Sequence, residues 1–441
     1  MATGNRVFKT LFAAGLALAV AGQVAAQLPA EKPVDLLPKT MLPADPATPP
    51  VPQPPVPVAP PPRVLQVWPK ADATALLAVI DSVAKRGLVP ADYEPEAFRA
   101  AIVGGEGDLL NAVADRVFTR LVTDLRDGRT PAEARVQWLV KDPDAALYPV
   151  DSVMRVALLS HDIETALASI EPDSPDYAAL KAELAKTPVT DIKKINLIKT
   201  NLERWRWLPR TLGTRYLIAN VPEYMLRVMD RGKILAKYRV IVGKKSTATP
   251  QLSALAQGVV VHPPWYLPQS IIKESVGALI ANNPAGAKAQ GYTWTGEGKT
   301  LAVIQQAGPK SALGFIKIDM PNPDAIFIHD TPNRHLFDRT ERAFSHGCLR
   351  TERAMELGIL LGILQSGASA EELADLIKAG KTQKHLFKTS VPVFISYFTM
   401  ATGVDGKLQS YVDIYGRDAP VVAAFAKARV DPVAALPPTG G

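Results

Sequence analysis

The sequence predicts an α+β protein of more than one domain: a helical half, then a strand-rich half of antiparallel or mixed sheet interrupted by a long insertion. Three observations carry that reading. The chain has 441 residues, more than one core usually organises. Apolar residues recur at helical spacing from Trp68 to about Lys199. From Arg215 onward the pattern changes to short β-branched or alternating runs bounded by turn residues.

Residues 1–26 read as a signal peptide, with a short basic start (Arg6, Lys9), an apolar run from Leu11 to Ala21 and the small residues Val24-Ala25-Ala26 before a cleavage point. The run falls short of the roughly 20 apolar residues that a bilayer span wants, and no later stretch qualifies. Lipoprotein anchoring needs a cysteine at the cleavage site, and the single cysteine is Cys348. An exported protein without a transmembrane segment is expected. Residues 27–67 are a linker rich in proline (PATPPVPQPPVPVAPPPR), which favours an extended polyproline II spacer that packs no core.

Residues 68–200 are expected to form the helical domain. Leu110, Val113, Val117, Leu121 and Leu125 fall on one helix face closed by Asp127-Gly128. Leu76, Leu77, Ile80 and Val83 form another face closed by Gly87, and Tyr177 to Lys186 a third. No cluster of catalytic residue types lies here, and His161 reads as a surface or capping histidine.

Residues 201–425 are assigned to the second domain. It opens on NLERWRWLP (201–209), where Trp205 and Trp207 are read as packing at the domain junction. Strands are expected at Tyr216 to Ala219, Tyr224 to Met229, Ile234 to Val242, Gly258 to His262, Gly314 to Ile318, Ala325 to His329, Val391 to Phe398 and Leu408 to Ile414. Asp230-Arg231-Gly232-Lys233 supplies a hairpin turn. An insertion at about 263–307 carries one helical stretch (269–282) in an otherwise irregular loop, and loops this long tend to be functional. Trp265 and Tyr266 at its start are candidates for gripping a ligand. Residues 426–441 are expected to be a flexible tail.

The chemistry concentrates between Ile326 and Arg353, which hold three of the six histidines and the only cysteine. Only a thiolate is a good nucleophile, so the thiol of Cys348 needs help to ionise. Arg350 lies two residues on, and Thr351 to Gln365 suits a helix with Thr351 as its N-cap, whose positive end would favour the thiolate. His329 closes the apolar run AIFIH, so a strand could hold it as the base. On a strand, the Asp330 side chain points to the opposite face, which makes a backbone carbonyl the expected partner of the imidazole. There is no second cysteine and the spacing suits no zinc site, so neither metal nor cofactor is implied. The balance of 50 basic against 43 acidic residues gives +7, which suits an anionic polymer or a membrane surface, and no nucleic-acid motif is present.

His329, fifteen intervening residues (330–344) and Ser345-His346-Gly347-Cys348 resemble the signature of the L,D-transpeptidases with a YkuD-type catalytic domain. Many members have Asn two residues after the cysteine. Arg350 in that place is similar to the larger Gram-negative, YcbB-like branch, which carries an extra N-terminal scaffold domain. GLVPADY (87–93) and TDLRDGRTPAEARVQW (123–138) resemble that scaffold.

The resemblance implies a β-sandwich-like catalytic fold in which the insertion is a lid subdomain. It implies Cys348 as nucleophile, His329 as proton acceptor and donor, Ser345, His346 and Gly347 shaping the pocket and oxyanion site, and Arg350, Trp265 and Tyr266 as substrate-binding residues. The implied activity is peptidoglycan cross-linking in the periplasm through a cysteine thioester. Stem peptides would be donor and acceptor. An outer-membrane protein as acceptor, or water, would make the enzyme an anchoring ligase or a hydrolase. A non-catalytic wall-binding scaffold is the reading from a different class.

Overall fold

The computed structural model describes residues 66–429; the signal-peptide and most of the linker assignment, and the end of the tail, lie outside the described residues.

The helical half follows its apolar periodicity. Helices α1 (Lys70–Asp81), α2 (Pro95–Gly104), α3 (Asp108–Arg126), α4 (Val150–Ser160) and α5 (Ile163–Ala168) enclose one core. Leu110, Val113, Val117, Leu121 and Leu125 of α3 are all buried in it. His161 takes a left-handed conformation at the end of α4, with Nδ1 2.9 Å from Asp72.

Helices α6 (Pro175–Lys186) and α7 (Ile192–Arg206) lead to the sheet. They share a core with it: Trp205 stacks on Phe398 at 4.7 Å between ring centroids, and Trp207 meets Trp138 edge-on at 5.4 Å. The two tryptophans therefore serve the junction. Asn201 exchanges hydrogen bonds with Thr399, and Arg204 reaches Asp418 at 2.7 Å.

The second half is built on a ten-stranded sheet. Its strands are β1 (Trp138–Leu139), β2 (Arg215–Asn220), β3 (Met225–Asp230), β4 (Lys233–Gly243), β5 (Gln251–Val261), β9 (Ile316–Asp319), β10 (Ile328–His329), β11 (Ala343–Ser345), β12 (Leu349–Thr351) and β13 (Gln383–Ser396). The expected hairpin joins β3 to β4, with Arg231 and Gly232 both at positive φ. Hydrogen bonding runs β5-β13-β2-β3-β4-β12-β10-β9 and returns from β9 to β5. The sheet thus closes on itself as a barrel, where the family resemblance implied a β-sandwich-like fold. Closure follows from β9 pairing with both β10 and β5, which leaves neither edge open.

Alternation then sorts the side chains. Val259, Val261, Ile316, Ile318, Ile328, Leu349, Val240 and Val242 fill the interior with helix α8 (Ala354–Ser366) packed against them, so their neighbours Lys317, His329 and Arg350 face outward.

Two expectations shift here. Thr351 does not cap a helix: it lies in β12, paired with Val240 of β4, and α8 begins only at Ala354, behind Arg353 at φ +51°. The expected strand from Ala325 shrinks to Ile328–His329, because Ala325 adopts φ +51° and the Ile326 N–H bonds to the Asn322 side chain.

The insertion forms a subdomain with its own small core. β6 (Trp265–Tyr266), β7 (Tyr292–Thr295) and β8 (Ala302–Gln305) make a three-stranded sheet. The helical stretch 269–282 packs Ile272, Val276 and Ile280 against it. A π-helical turn, Ile272–Val276, interrupts that stretch; such turns are rare and often sit at functional sites.

Candidate active site

Pairing of β10 with β12 organises the site. These strands are parallel, with Ile328 opposite Leu349 and His329 opposite Arg350. On the other side of β10, antiparallel β9 sets Lys317 opposite His329. A row Lys317–His329–Arg350 therefore crosses three strands on the outer face of the barrel, and Cys348 lies immediately before β12. The Leu349 N–H donates to the Phe327 carbonyl at 2.9 Å, and the Phe327 N–H donates to the Cys348 sulfur at 3.3 Å. The thiol is thus held against the strand that carries His329.

His329 is buried, and its Nδ1 lies 2.5 Å from the Asp330 carbonyl. A carbonyl only accepts, so Nδ1 carries the proton and Nε2 is left bare to take one. The carbonyl partner expected from strand geometry is the one found. The Asp330 carboxylate faces the other way, accepting from the Phe315 N–H at 3.0 Å and from Arg334 at 3.1 and 3.2 Å. Burial, then Arg350 and to a lesser degree Lys317, pull the proton affinity of His329 down to about 3, against the support of the Asp330 and Leu313 carbonyls.

Cys348 is half-buried. Enough protein packs round the sulfur that burial pushes the thiol above its ordinary range, although the Phe327 N–H, Arg350 and Lys317 all favour the thiolate. The sulfur also makes a long contact of 3.7 Å with the Ala325 carbonyl, which holds the S–H form. The expected boost from a helix N-terminus is absent, since α8 starts well past the thiol. Thiol and imidazole are therefore both neutral at rest.

The Ser345-His346-Gly347 loop has a division of labour. The Ser345 hydroxyl donates to the Cys348 carbonyl at 2.6 Å and accepts from the Gly347 N–H at 3.1 Å. Gly347 has φ +121°, a conformation glycine supplies without strain, and a Cβ there would lie 3.2 Å from Ile326. Because its N–H is engaged by Ser345, Gly347 is not an oxyanion donor in this arrangement. The Cys348 N–H, by contrast, has no hydrogen-bond partner among the described residues.

His346 turns away from the thiol: its Nε2 lies 3.2 Å from Glu274 on the π-helical turn of the inserted subdomain, and Lys244 holds the same carboxylate at 2.6 Å. Trp265 packs into that subdomain's core, and Tyr266 is exposed. Among the described residues, neither makes a hydrogen bond or ring contact with Cys348 or His329. Arg350 stands beside His329, and its side chain makes no hydrogen bond or ion pair among the described residues.

Sequence reasoning missed Lys317, Glu274 and Lys244. Alternation within GFIKID marks Lys317 as outward-facing, but its place next to His329 depends on the β9–β10 register, which no local pattern encodes. Glu274 sits in an otherwise ordinary helical segment. Among the described residues no group of three or more His, Cys, Asp or Glu is arranged to hold a metal ion, and no helix is long and apolar enough to cross a membrane.

Residues 214–395 match the profile of the YkuD family, described as the L,D-transpeptidase catalytic domain, and residues 66–184 match that of a scaffold domain. A curated Haemophilus influenzae protein carrying a provisional L,D-transpeptidase name is 33% identical over 218 residues, 46% of this chain and 44% of its own length. This chain therefore spans less than half of that relative. Among solved structures, an L,D-transpeptidase from Mycobacterium smegmatis matches with 11% identity and a TM-score of 0.23, over 42% of this chain and 58% of that one. A mutant of the Enterococcus faecium L,D-transpeptidase matches with 11% identity and a TM-score of 0.22, over 43% and 52%. Scores of this size set no residue correspondence.

Proposed function

We propose, from the premise that this chain carries an L,D-transpeptidase catalytic domain behind a scaffold domain, that it cross-links peptidoglycan through a thioester on Cys348. The Cys348 sulfur attacks the carbonyl at the L-centre of the diamino acid in the third stem position while its proton passes to Nε2 of His329. The developing oxyanion takes the Cys348 N–H, whose hydrogen bond is uncommitted. Imidazolium then returns the proton to the departing D-alanine amine, and the thioester remains. The side-chain amine of a second stem attacks it, His329 takes the amine's proton and passes it to the leaving thiolate, and a 3-3 cross-link results. The chain acts after export, in the periplasm.

The observation that carries this reading is the imidazole's fixed tautomer: the Asp330 carbonyl at Nδ1 leaves Nε2 as the only nitrogen able to accept a proton, beside the strand that begins directly after the thiol. The inserted subdomain acts as a lid, excluding the water that would hydrolyse the thioester. Its support is the Glu274 contact with His346, which ties the subdomain to the loop that carries the nucleophile. Incubation with disaccharide-tetrapeptide followed by mass spectrometry tests the function. Dimers lacking one alanine, absent with Cys348→Ser, are expected. Tripeptide alone would show that water is the acceptor, and no product at all would overturn the reading.

A further inference from the structure

Two basic side chains flank His329 on the outer face of the barrel, Lys317 from β9 and Arg350 from β12. Both are half-buried, and among the described residues neither forms an ion pair with a carboxylate. The nearest acid along β9, Asp319, is taken by Lys384 at 2.6 Å. Lys317 is not loose: its ammonium lies 4.3 Å from the centroid of the Phe327 ring, on the residue whose N–H contacts the Cys348 sulfur. Removing two cations from water without a counter-charge is costly, and ordinary surface basic residues avoid it. Asp319, already shared with Lys384, and the ionisable Cys348 are what offset the pair in the unliganded protein.

We propose that Lys317 and Arg350 form a seat for a carboxylate beside the thiol, and that the group it takes is the free C-terminal carboxylate of the donor peptide. This assignment rests on the reading of Cys348 as the nucleophile toward that peptide. With the scissile carbonyl at the sulfur and the leaving amine at Nε2 of His329, the carboxylate of the leaving residue is one carbon from that amine. It therefore falls beside the imidazole, where the two cations stand. Arg350 offers a planar fork to a carboxylate and Lys317 a point charge. The seat makes the enzyme specific for a donor that ends at the leaving residue, since an amide or a further residue there would leave both cations unpaired.

The seat also resolves a conflict in the resting site. Burial and the two cations depress the proton affinity of His329, so the imidazole is a poor base until an anion offsets them. A bound carboxylate does that only when the donor is in place, which couples recognition of the correct terminus to activation of the thiol.

Two measurements on the full chain test this separately from the cross-linking function. Alkylation of Cys348 by iodoacetate and by iodoacetamide reports the local charge, because both reagents see the same thiolate and their rate ratio cancels its ionisation. The iodoacetate-to-iodoacetamide ratio should fall about threefold or more in Lys317→Met and in Arg350→Met relative to wild type; an unchanged ratio in both overturns the seat. With tetrapeptide donors ending in carboxylate or amide, wild type should prefer the carboxylate by about tenfold or more in kcat/KM, the size of one charge-assisted contact, and Lys317→Met should lose most of that preference. A preference that survives in Lys317→Met removes Lys317 from the seat. If wild type uses neither donor, the functional reading fails while the alkylation ratio still decides the charge arrangement.

Discussion

Raising the pH on the free protein should expose the resting protonation state of the site through the rate at which iodoacetamide alkylates Cys348. Burial holds the thiol above its ordinary value of 9.0, and His329 is pulled down to about 3, so neither group is charged between pH 5 and 8. The thiolate fraction, and with it the alkylation rate, then grows tenfold per pH unit, about a hundredfold from pH 6 to pH 8. A preformed thiolate–imidazolium pair behaves otherwise: its thiolate is complete by pH 5 and the rate is flat to pH 8. The assay is intact-protein mass spectrometry of timed aliquots at a series of pH values under fixed ionic strength. His329→Gln should give the same slope, because a neutral imidazole contributes no ion pair. A wild-type rate that changes less than about threefold across the range would refute the neutral resting pair and the account of burial behind it.

Acid should destabilise the wild type more steeply than His329→Gln. The folded imidazole protonates only near pH 3 and the unfolded one near 6.5, so the unfolded state binds the extra proton in that window. Stability is full above pH 6.5 and is lost as the pH falls toward 3, at up to about 1.4 kcal/mol per pH unit; urea midpoints between pH 4 and 7 that run parallel for the two proteins would contradict this. Glu274→Gln should loosen the inserted subdomain, since it removes the carboxylate shared by Lys244 and His346. Faster amide exchange across residues 269–282 is the expected signature, with a similar but smaller change for wild type in high salt; identical exchange in the variant would dispose of the latch. Gly314→Ala should cost about 1–3 kcal/mol in thermal unfolding, because Gly314 has φ +62° and an added Cβ would stand 2.4 Å from the Asp330 carboxylate. The displaced Asp330 also carries the carbonyl that orients His329, so turnover should fall with stability, and a variant of unchanged melting temperature would rule out the close fit.

Local pattern carried the elements and much less of their arrangement. The helical face of α3, the β3–β4 hairpin and the packing role of Trp205 and Trp207 follow from periodicity, turn residues and amphipathic aromatics. Barrel closure does not, because it depends on β9 meeting β5 across a sequence gap that holds the inserted subdomain. Thr351 illustrates the competition at a boundary: hydroxyl and position suit an N-cap, but pairing with Val240 claims its backbone first, and helix α8 waits for Arg353 to turn the chain. Cys348 and His329 could be named from their neighbours in sequence. Lys317 and Glu274 could not, since each reaches the site through a register or a tertiary contact.

The row Lys317–His329–Arg350 sets two requirements against each other. Positive charge near the sulfur favours the thiolate, while the same charge near the imidazole opposes the imidazolium that must form when the proton moves. In the unliganded protein the transfer therefore gains at one end and loses at the other, and burial penalises both charged products. The proton stays on sulfur, and the S–H donates to the Ala325 carbonyl at 3.7 Å. An anion seated between the cations relieves the penalty at nitrogen. The geometry also keeps the Phe327 N–H on the sulfur throughout, so part of the thiolate's support does not depend on the ligand. With the proposed seat filled, reactivity belongs to the complex of protein and anion, and the thiol stays quiet while the seat is empty.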